Sequence, residues 1–329
     1  MDLGPEVDPA SPLQFVINAA AGSSDADAKR EVIETVLRAG GRRGELLFCS
    51  PGELGRVAHQ AAAKATASGT AVVAIGGDGT LSTVAQAAHT ASCPMGVVPY
   101  GTFNYFARTH HIPTNPADAV QLVLAGVPRP VQVAAVNEHL FLVNASVGLY
   151  PELLEDREAY TKRFGRSRWV AIYAGVTTLM RAQQKLRLHI ELGTGARDVA
   201  ALTLFVGNNR LQLDQLGAQP DDTLPGAPGA GTIAAVILRP LGTLAMLRLL
   251  LHGAMGTLGD AENVERFEFP HLVVRPGGLR AGRSIKVAFD GEVTRVRPPL
   301  DFRILDKPLH LVQAPDGRGE AAAPSGAAG

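Results

Sequence analysis

Apolar and polar positions keep one rhythm over the first part of the chain and another over the rest. Between Leu13 and about residue 130, short apolar runs alternate with longer stretches whose apolar residues recur every three or four positions. The runs Leu13–Ile17, Leu46–Cys49, Ala71–Ile75 and Met95–Val98 predict buried strands. Helices are predicted over Ala26–Ala39 (Ala28, Val32, Val36 and Ala39 on one face), from Glu53 (Leu54, Val57, Ala58, Ala61, Ala65), around Leu81, Val84, Ala85 and Ala88, and over Pro116–Ala125. Strands alternating with helices predict a mostly parallel sheet inside a three-layer α/β domain spanning residues 13–130. In such sheets ligands bind at the carboxyl ends of the strands.

From Val131 onward short strand patterns dominate. They are Val131–Val136, Leu140–Val143, Leu186–Leu192, Leu202–Val206, Thr232–Ile237, Val264–Phe269, Leu272–Val274, Ile285–Phe289 and Phe302–Ile304. Helical patterns interrupt them at Pro151–Gln183 and Leu241–Met255. Many short strands with turn residues between them predict an antiparallel β-sandwich over residues 131–314. The pattern leaves open whether residues 305–314 return to the first domain. Asp214–Gly231, rich in Pro, Gly and Asp, reads as a long loop or flap. Residues 1–12 and 315–329 read as loose tails.

Composition narrows the function classes. Of 329 residues, 46% are hydrophobic and 19% charged, which suits folded domains with sizeable cores. Formal net charge is zero, so a nucleic-acid partner held by bulk electrostatics is not expected. The two cysteines, Cys49 and Cys93, sit in apolar surroundings and predict no disulfide framework, as in a cytoplasmic protein. Met1–Pro12 lacks a signal pattern, and the apolar stretch Thr232–Gly259 is broken by Arg239, Pro240 and Arg248. The expectation is a cytoplasmic protein that at most touches the inner face of a membrane.

The candidate chemistry starts at Gly76-Gly77-Asp78-Gly79-Thr80, between a predicted strand and a predicted helix. Glycines let backbone N–H groups converge on an anion, and a helix N-terminus adds a favourable dipole. Asp78 repels a polyphosphate unless a metal ion lies between them or the carboxylate accepts a proton from a reacting hydroxyl. That combination points to phosphoryl transfer. Two further loops, Asn18–Gly22 and Gly101-Thr102-Phe103-Asn104, follow strands and combine small residues with an amide side chain.

These stretches, with Pro99-x-Gly101-Thr102-x-Asn104-x-x-Ala107-Arg108, Asn144-Ala-Ser-Val-Gly148 and Asp290-Gly291-Glu292 followed by Pro298-Pro299-Leu300, resemble the diacylglycerol kinase catalytic family, whose superfamily includes the sphingosine kinases. The matches run in the family's order from about Asn18 to Val312. The resemblance implies a nucleotide-binding domain, a β-sandwich and an active site in the cleft between them. It implies ATP as donor, Mg²⁺, and a lipid hydroxyl at a membrane surface as acceptor, with diacylglycerol or a relative expected. By position, Asn18, Ala19, Ala20, Ala21 and Gly22 would line the ATP site, and Ser50 would face the nucleotide. Gly76, Gly77, Asp78, Gly79, Thr80, Leu81, Ser82 and Thr83 would wrap the phosphates, joined by Gly101, Thr102 and Asn104. Glu292 falls on the family's proton acceptor, beside Asp290, and Asp78 and Asp290 would hold Mg²⁺ directly or through water.

Structural readings stand beside these. Asp290-Gly291 after a strand is a hairpin signal, Asn144 can close a turn, Arg108 can be a solvated helix residue, and His110 and His111 read as surface residues. The chain also departs from the family. Tyr105 stands where many relatives have an aspartate, and Phe103 replaces a small residue. Gly231-Thr232-Ile233-Ala234 lacks the aspartate of a secondary Mg²⁺ motif, so that site is expected to be absent. Arg157–Arg168, with Tyr160, Phe164 and Trp169 interleaved, reads either as a contact for anionic headgroups or as a solvated helix face. Two other functions stay open: a nicotinamide dinucleotide kinase, which shares the glycine turn, and an inactive lipid-binding protein on the same scaffold.

Overall fold

The computed structural model describes residues 4–21, 26–148, 151, 186–193, 195–208, 231–240, 264–278 and 282–315. The predicted helices at Pro151–Gln183 and Leu241–Met255, the basic stretch Arg157–Arg168 and most of Asp214–Gly231 lie outside the described residues. Two compact units divide the chain: Met1–Val133 with Asp306–Gly329, and Ala134–Leu305.

The first unit runs β1 (Leu13–Asn18), α1 (Ala26–Ala39), β2 (Gly44–Cys49), α2 (Leu54–Ala67), β3 (Val72–Gly76), α3 (Asp78–Ala91), β4 (Met95–Pro99), α4 (Tyr105–Thr109), α5 (Pro116–Ala125) and β5 (Val127–Val131). The second runs β6 (Ala134–Val136), β7 (His139–Phe141), β8 (Asn144–Gly148), β9 (Leu186–Leu192), β10 (Gly195–Ala201), β11 (Thr203–Gly207), β12 (Ile233–Leu238), β13 (Val264–Phe269), β14 (His271–Pro276), β15 (Ile285–Phe289), β16 (Glu292–Val296) and β17 (Leu300–Ile304). The chain then re-enters the first unit as β18 (Leu309–Gln313).

In the first unit the sheet order is β2-β1-β3-β4-β18-β5, with β1 to β4 and β18 parallel and β5 antiparallel to β18. β3 and β4 are buried along their whole length, which explains their unbroken apolar runs. α2 packs on α3, and α1 on α5, so the sheet is covered on both faces. α5 is started by Asn115, whose Oδ1 accepts the N–H groups of Ala117 and Asp118, with Pro116 at the first helical position. Connections leave β1 toward β2 and leave β3 toward β4, so the strand order reverses between β1 and β3. An α/β sheet opens a crevice at such a point, outside the carboxyl ends of its strands.

The second unit holds two antiparallel sheets, β10-β9-β14-β17-β6-β7 and β13-β12-β11-β8-β15-β16. Residues from both build one core, among them Phe141, Leu188, Ile190, Val274 and Phe302 from the first sheet, and Val147, Leu204, Ile237 and Val287 from the second. The architecture is the expected one: a mostly parallel α/β unit followed by an antiparallel sandwich.

Several details differ from the expectations. Val131–Val136 is not one strand, because Val131 ends β5 and Ala134 begins β6 in the other unit. Residues 4–12 are not a loose tail. Gly4 N–H donates to the Pro128 carbonyl and Asp8 N–H to that of Gly69, while Arg42 and Arg43 donate to the Asp8 and Ala10 carbonyls. His110 is not a surface residue. Its ring packs edge-on against Phe106, its Nδ1 lies 3.1 Å from Gln313 Nε2 on β18, and burial beside His111 pushes its pKa down to about 4.

Both faces of β18 are filled, and Leu311 is fully buried. Leu311→Ala should cost about 2–5 kcal/mol, read as a lower denaturant midpoint. An unchanged midpoint would contradict a central place for β18.

Candidate active site

The reversal between β1 and β3 brings two of the predicted loops together. Asn18, the last residue of β1, donates from Nδ2 to Thr80 Oγ1 at 2.9 Å, while its Oδ1 accepts the Ala20 N–H at 3.0 Å. Thr80 lies in the first turn of α3 and is buried. Ala19 and Ala20 are exposed, Ala21 is half-buried, and Gly22 is outside the described residues. The α3 N-terminus carries no side-chain cap: Gly77 is extended (φ −86°, ψ 180°) and its helix opens with Asp78-Gly79-Thr80. Within that helix Leu81 is fully buried in the core and Thr83 donates to the Gly79 carbonyl.

The loop after β4 lies against the same turn. Tyr100 N–H donates to the Gly76 carbonyl at 2.8 Å, and a Cβ on Gly101 would come within 2.8 Å of the Gly77 Cα. Only glycines permit that approach. Asn104 takes the left-handed conformation (φ 50°), accepting the Gly101 N–H at Oδ1 and donating to the Gly101 carbonyl from Nδ2. Thr102 and Phe103 stay exposed, and the Phe103 ring stacks on Tyr105 at 5.5 Å.

Asp78 joins these loops. Its Oδ2 accepts the Tyr105 N–H at 3.3 Å and its Oδ1 the Phe106 N–H at 3.4 Å. α4 has no side-chain cap from Asn104, so Asp78 reaches across to satisfy N–H groups that a helix start leaves unpaired. Burial raises the Asp78 pKa above the usual carboxylate value, and the N–H groups of Phe106, Tyr105 and Asn104 draw it partly back. Ser50, expected to face a nucleotide, is exposed and donates its hydroxyl to Glu53 at 2.7 Å.

In the second unit, Asp290 and Gly291 form a two-residue hairpin between β15 and β16, with φ of 48° and 90° and Phe289 opposite Glu292. Asp290 is buried. Its Oδ2 accepts the Leu142 N–H at 2.7 Å, and its Oδ1 accepts those of Val143 (2.8 Å) and Asn144 (3.1 Å). Asn144 returns a bond, its carbonyl accepting the Asp290 N–H at 3.0 Å. Asn144 therefore opens the buried strand β8 instead of closing a turn. Both Asp290 oxygens are engaged by backbone N–H groups. Glu292, two residues on, is exposed. Among the described residues, no cluster of three or more His, Cys, Asp or Glu could hold a metal ion by itself. None of the described helices is long and apolar enough to cross a membrane. Cys49 and Cys93 are free and buried.

Residues 12–136 match the diacylglycerol kinase catalytic domain. The resemblance read from the motifs thus stands over that span. Among curated proteins, an uncharacterized Synechocystis protein is 27% identical over 73% of this chain and 54% of its own length. A diacylglycerol kinase of Staphylococcus carnosus is 33% identical over 28% of this chain and 31% of its own. A protein of Xanthomonas oryzae named as a YegS-like lipid kinase is 36% identical over 36% of this chain and 39% of its own. The chain thus matches about half or less of these relatives' lengths. A solved diacylglycerol kinase structure from Bacillus anthracis shares the fold, with a TM-score of 0.64, 17% identity, and coverage of 93% of this chain and 97% of that one.

Within the matched span the motifs gave no hint of Lys29, which lies fully buried on α1 beneath the Asn18–Ala21 loop. A lone lysine on an amphipathic helix reads as solvated. The one signal was its spacing of four residues to Ile33, on the helical face that also carries Val36 and Leu37.

The raised Asp78 pKa has a testable sign. The native carboxyl ionises above its unfolded value of 3.8, so the native state binds more protons just above that pH. This residue's contribution to stability is greatest at low pH and declines as pH rises through the native pKa. Asp78→Asn removes the titration. The stability of the variant relative to wild type should therefore be higher at about pH 7 than at about pH 4, read by thermal denaturation. A difference independent of pH would contradict the raised pKa.

Proposed function

We propose that the protein is an ATP-dependent lipid kinase that transfers the γ-phosphate to a lipid hydroxyl, with diacylglycerol or a related lipid as acceptor. The observation that carries the reading is the uncapped N-terminus of α3 at the carboxyl edge of the sheet, set beside Asn18 and the Gly101 loop in a domain of kinase type. A helix N-terminus offers N–H groups and a dipole to phosphate. Loops Asn18–Gly22, Gly76–Thr83 and Gly101–Asn104 then bind the nucleotide, with the Thr102 hydroxyl free to contact it.

Asp78 is the carboxylate whose surroundings fit Mg²⁺, since its contacts to the α4 N–H groups are long and Mg²⁺ commonly takes one or two carboxylates plus substrate phosphates. When bound, Mg²⁺ offsets the phosphate charge. Glu292 accepts the proton of the acceptor hydroxyl as the hydroxyl oxygen bonds to the γ-phosphorus and the bond from that phosphorus to the β,γ-bridging oxygen of ATP breaks, releasing ADP. Asp290 orients the hairpin from which Glu292 projects and is not a metal ligand in this reading. The protein works in the cytoplasm and meets its lipid at the membrane's inner face.

The test is a purified-protein assay with labelled ATP and a panel of lipid acceptors. At least one lipid should be labelled, and Glu292→Gln should lower kcat by about 10²–10⁴-fold. Undiminished turnover in that variant contradicts the base assignment. Labelling of a nicotinamide dinucleotide, or of no acceptor at all, contradicts the lipid kinase.

A further inference from the structure

The loop after β1 takes its shape from a residue outside the proposed nucleotide set. Lys29 sits near the start of α1 with its side chain completely buried. Burying an ammonium is costly unless its donors are satisfied. Here Nζ donates to the carbonyls of Asn18 (3.3 Å), Ala19 (3.3 Å) and Ala21. The Tyr100 ring centroid lies 5.4 Å away, within range of a cation–π contact. An ammonium has three donors and no acceptor, and three carbonyls converge on it.

We propose that Lys29 is the positioning residue of the nucleotide site, acting through the loop and not by contact with phosphate. The inference rests on the nucleotide reading of the first unit. Three carbonyls turned onto one cation fix most of the peptide planes between Asn18 and Ala21. The same loop is tied outward by the Ala19 N–H to the Cys49 carbonyl at 3.0 Å and by the Asn18 side chain to Thr80. Lys29 thereby sets the orientation of Asn18, and Asn18 sets the Thr80 hydroxyl at the mouth of α3. Tyr100 carries the same cation to the loop after β4. One buried charge thus reaches three strand-end loops. Its donors point at the loop carbonyls, so its effect on a bound nucleotide is preorganisation, which appears as affinity.

The experiment compares the full-length protein with Lys29→Met, which keeps the apolar stem and loses the donors, and with Lys29→Arg, which keeps the charge. Amide hydrogen exchange without nucleotide should be at least about tenfold faster at Ala19–Ala21 in Lys29→Met, with the α3 interior unchanged. MgATP titration calorimetry should give a Kd raised about tenfold or more, with kcat at saturating ATP within about threefold and partial recovery in Lys29→Arg. Unchanged exchange and unchanged Kd in folded Lys29→Met overturn the proposal. So does a fall in kcat at unchanged KM, which would place Lys29 on the transferring phosphate. If Lys29→Met does not fold, Lys29→Gln is read on the same measurements with the same two overturning results. Should wild type bind no MgATP, the nucleotide reading fails, while the exchange measurement still decides the clamp.

Discussion

The backbones of Gly77 and Gly101 approach so closely that no side chain fits between them, and much of the first unit's carboxyl edge follows from that contact. It brings the loop after β4 against the start of α3, with Tyr100 N–H on the Gly76 carbonyl. It lets Asp78 reach the first N–H groups of α4, and it puts the Tyr100 ring within reach of Lys29. A Cβ on Gly101 would come within 2.8 Å of the Gly77 Cα and force the two loops apart, while one on Gly77 would meet the Gly101 Cα at a tight 3.3 Å. The glycines of the signature turn are therefore as much about the neighbouring loop as about any anion.

Within each unit, a charged side chain does what secondary structure cannot. Strand ends and helix starts leave N–H and C=O groups without partners. Asp78 accepts from α4, Asp290 from Leu142, Val143 and Asn144, and Lys29 donates to three carbonyls. Hydrogen bonds to charged groups contribute about 1.5–3 kcal/mol each, roughly twice a neutral one. Asp290 makes the case most plainly. Its residue type and place in the motif suggest chemistry, yet its bonds join the β7–β8 connection to the hairpin that presents Glu292. A signature acid can be required by a reaction without touching the reacting atoms.

Much of this was legible in the sequence where local pattern and long-range packing agree. α1 and α5 fall on the predicted residues, and so do β9, β13 and β15, although the buried face of α1 is Lys29, Ile33, Val36 and Leu37 and not the predicted Ala28, Val32, Val36 and Ala39. The Asp290-Gly291 turn was legible because a two-residue hairpin demands positive φ. Other features depend on contacts distant in sequence. β18 is an ordinary short apolar run until its place between β4 and β5 is known. β10 is an exposed edge strand whose Arg197 and Asp198 hide any alternation. The break between Val131 and Ala134 occurs inside one apolar run, where hydrophobicity cannot tell which core each residue joins. The backbone bonds of Lys29 and Asp290 were hidden for a different reason, since only the fold shows which backbone groups need a charge.

We propose that the carboxyl edge of the first sheet, between β1 and β3 and over the loop after β4, is a nucleotide site. A crystal structure of the protein with Mg²⁺ and a non-hydrolysable ATP analogue tests it most directly. Phosphates should lie at the N-terminus of α3, against Gly77–Thr80 and within reach of Asn18 and Thr102. Phosphates bound elsewhere, with that turn vacant at saturating analogue, would contradict it.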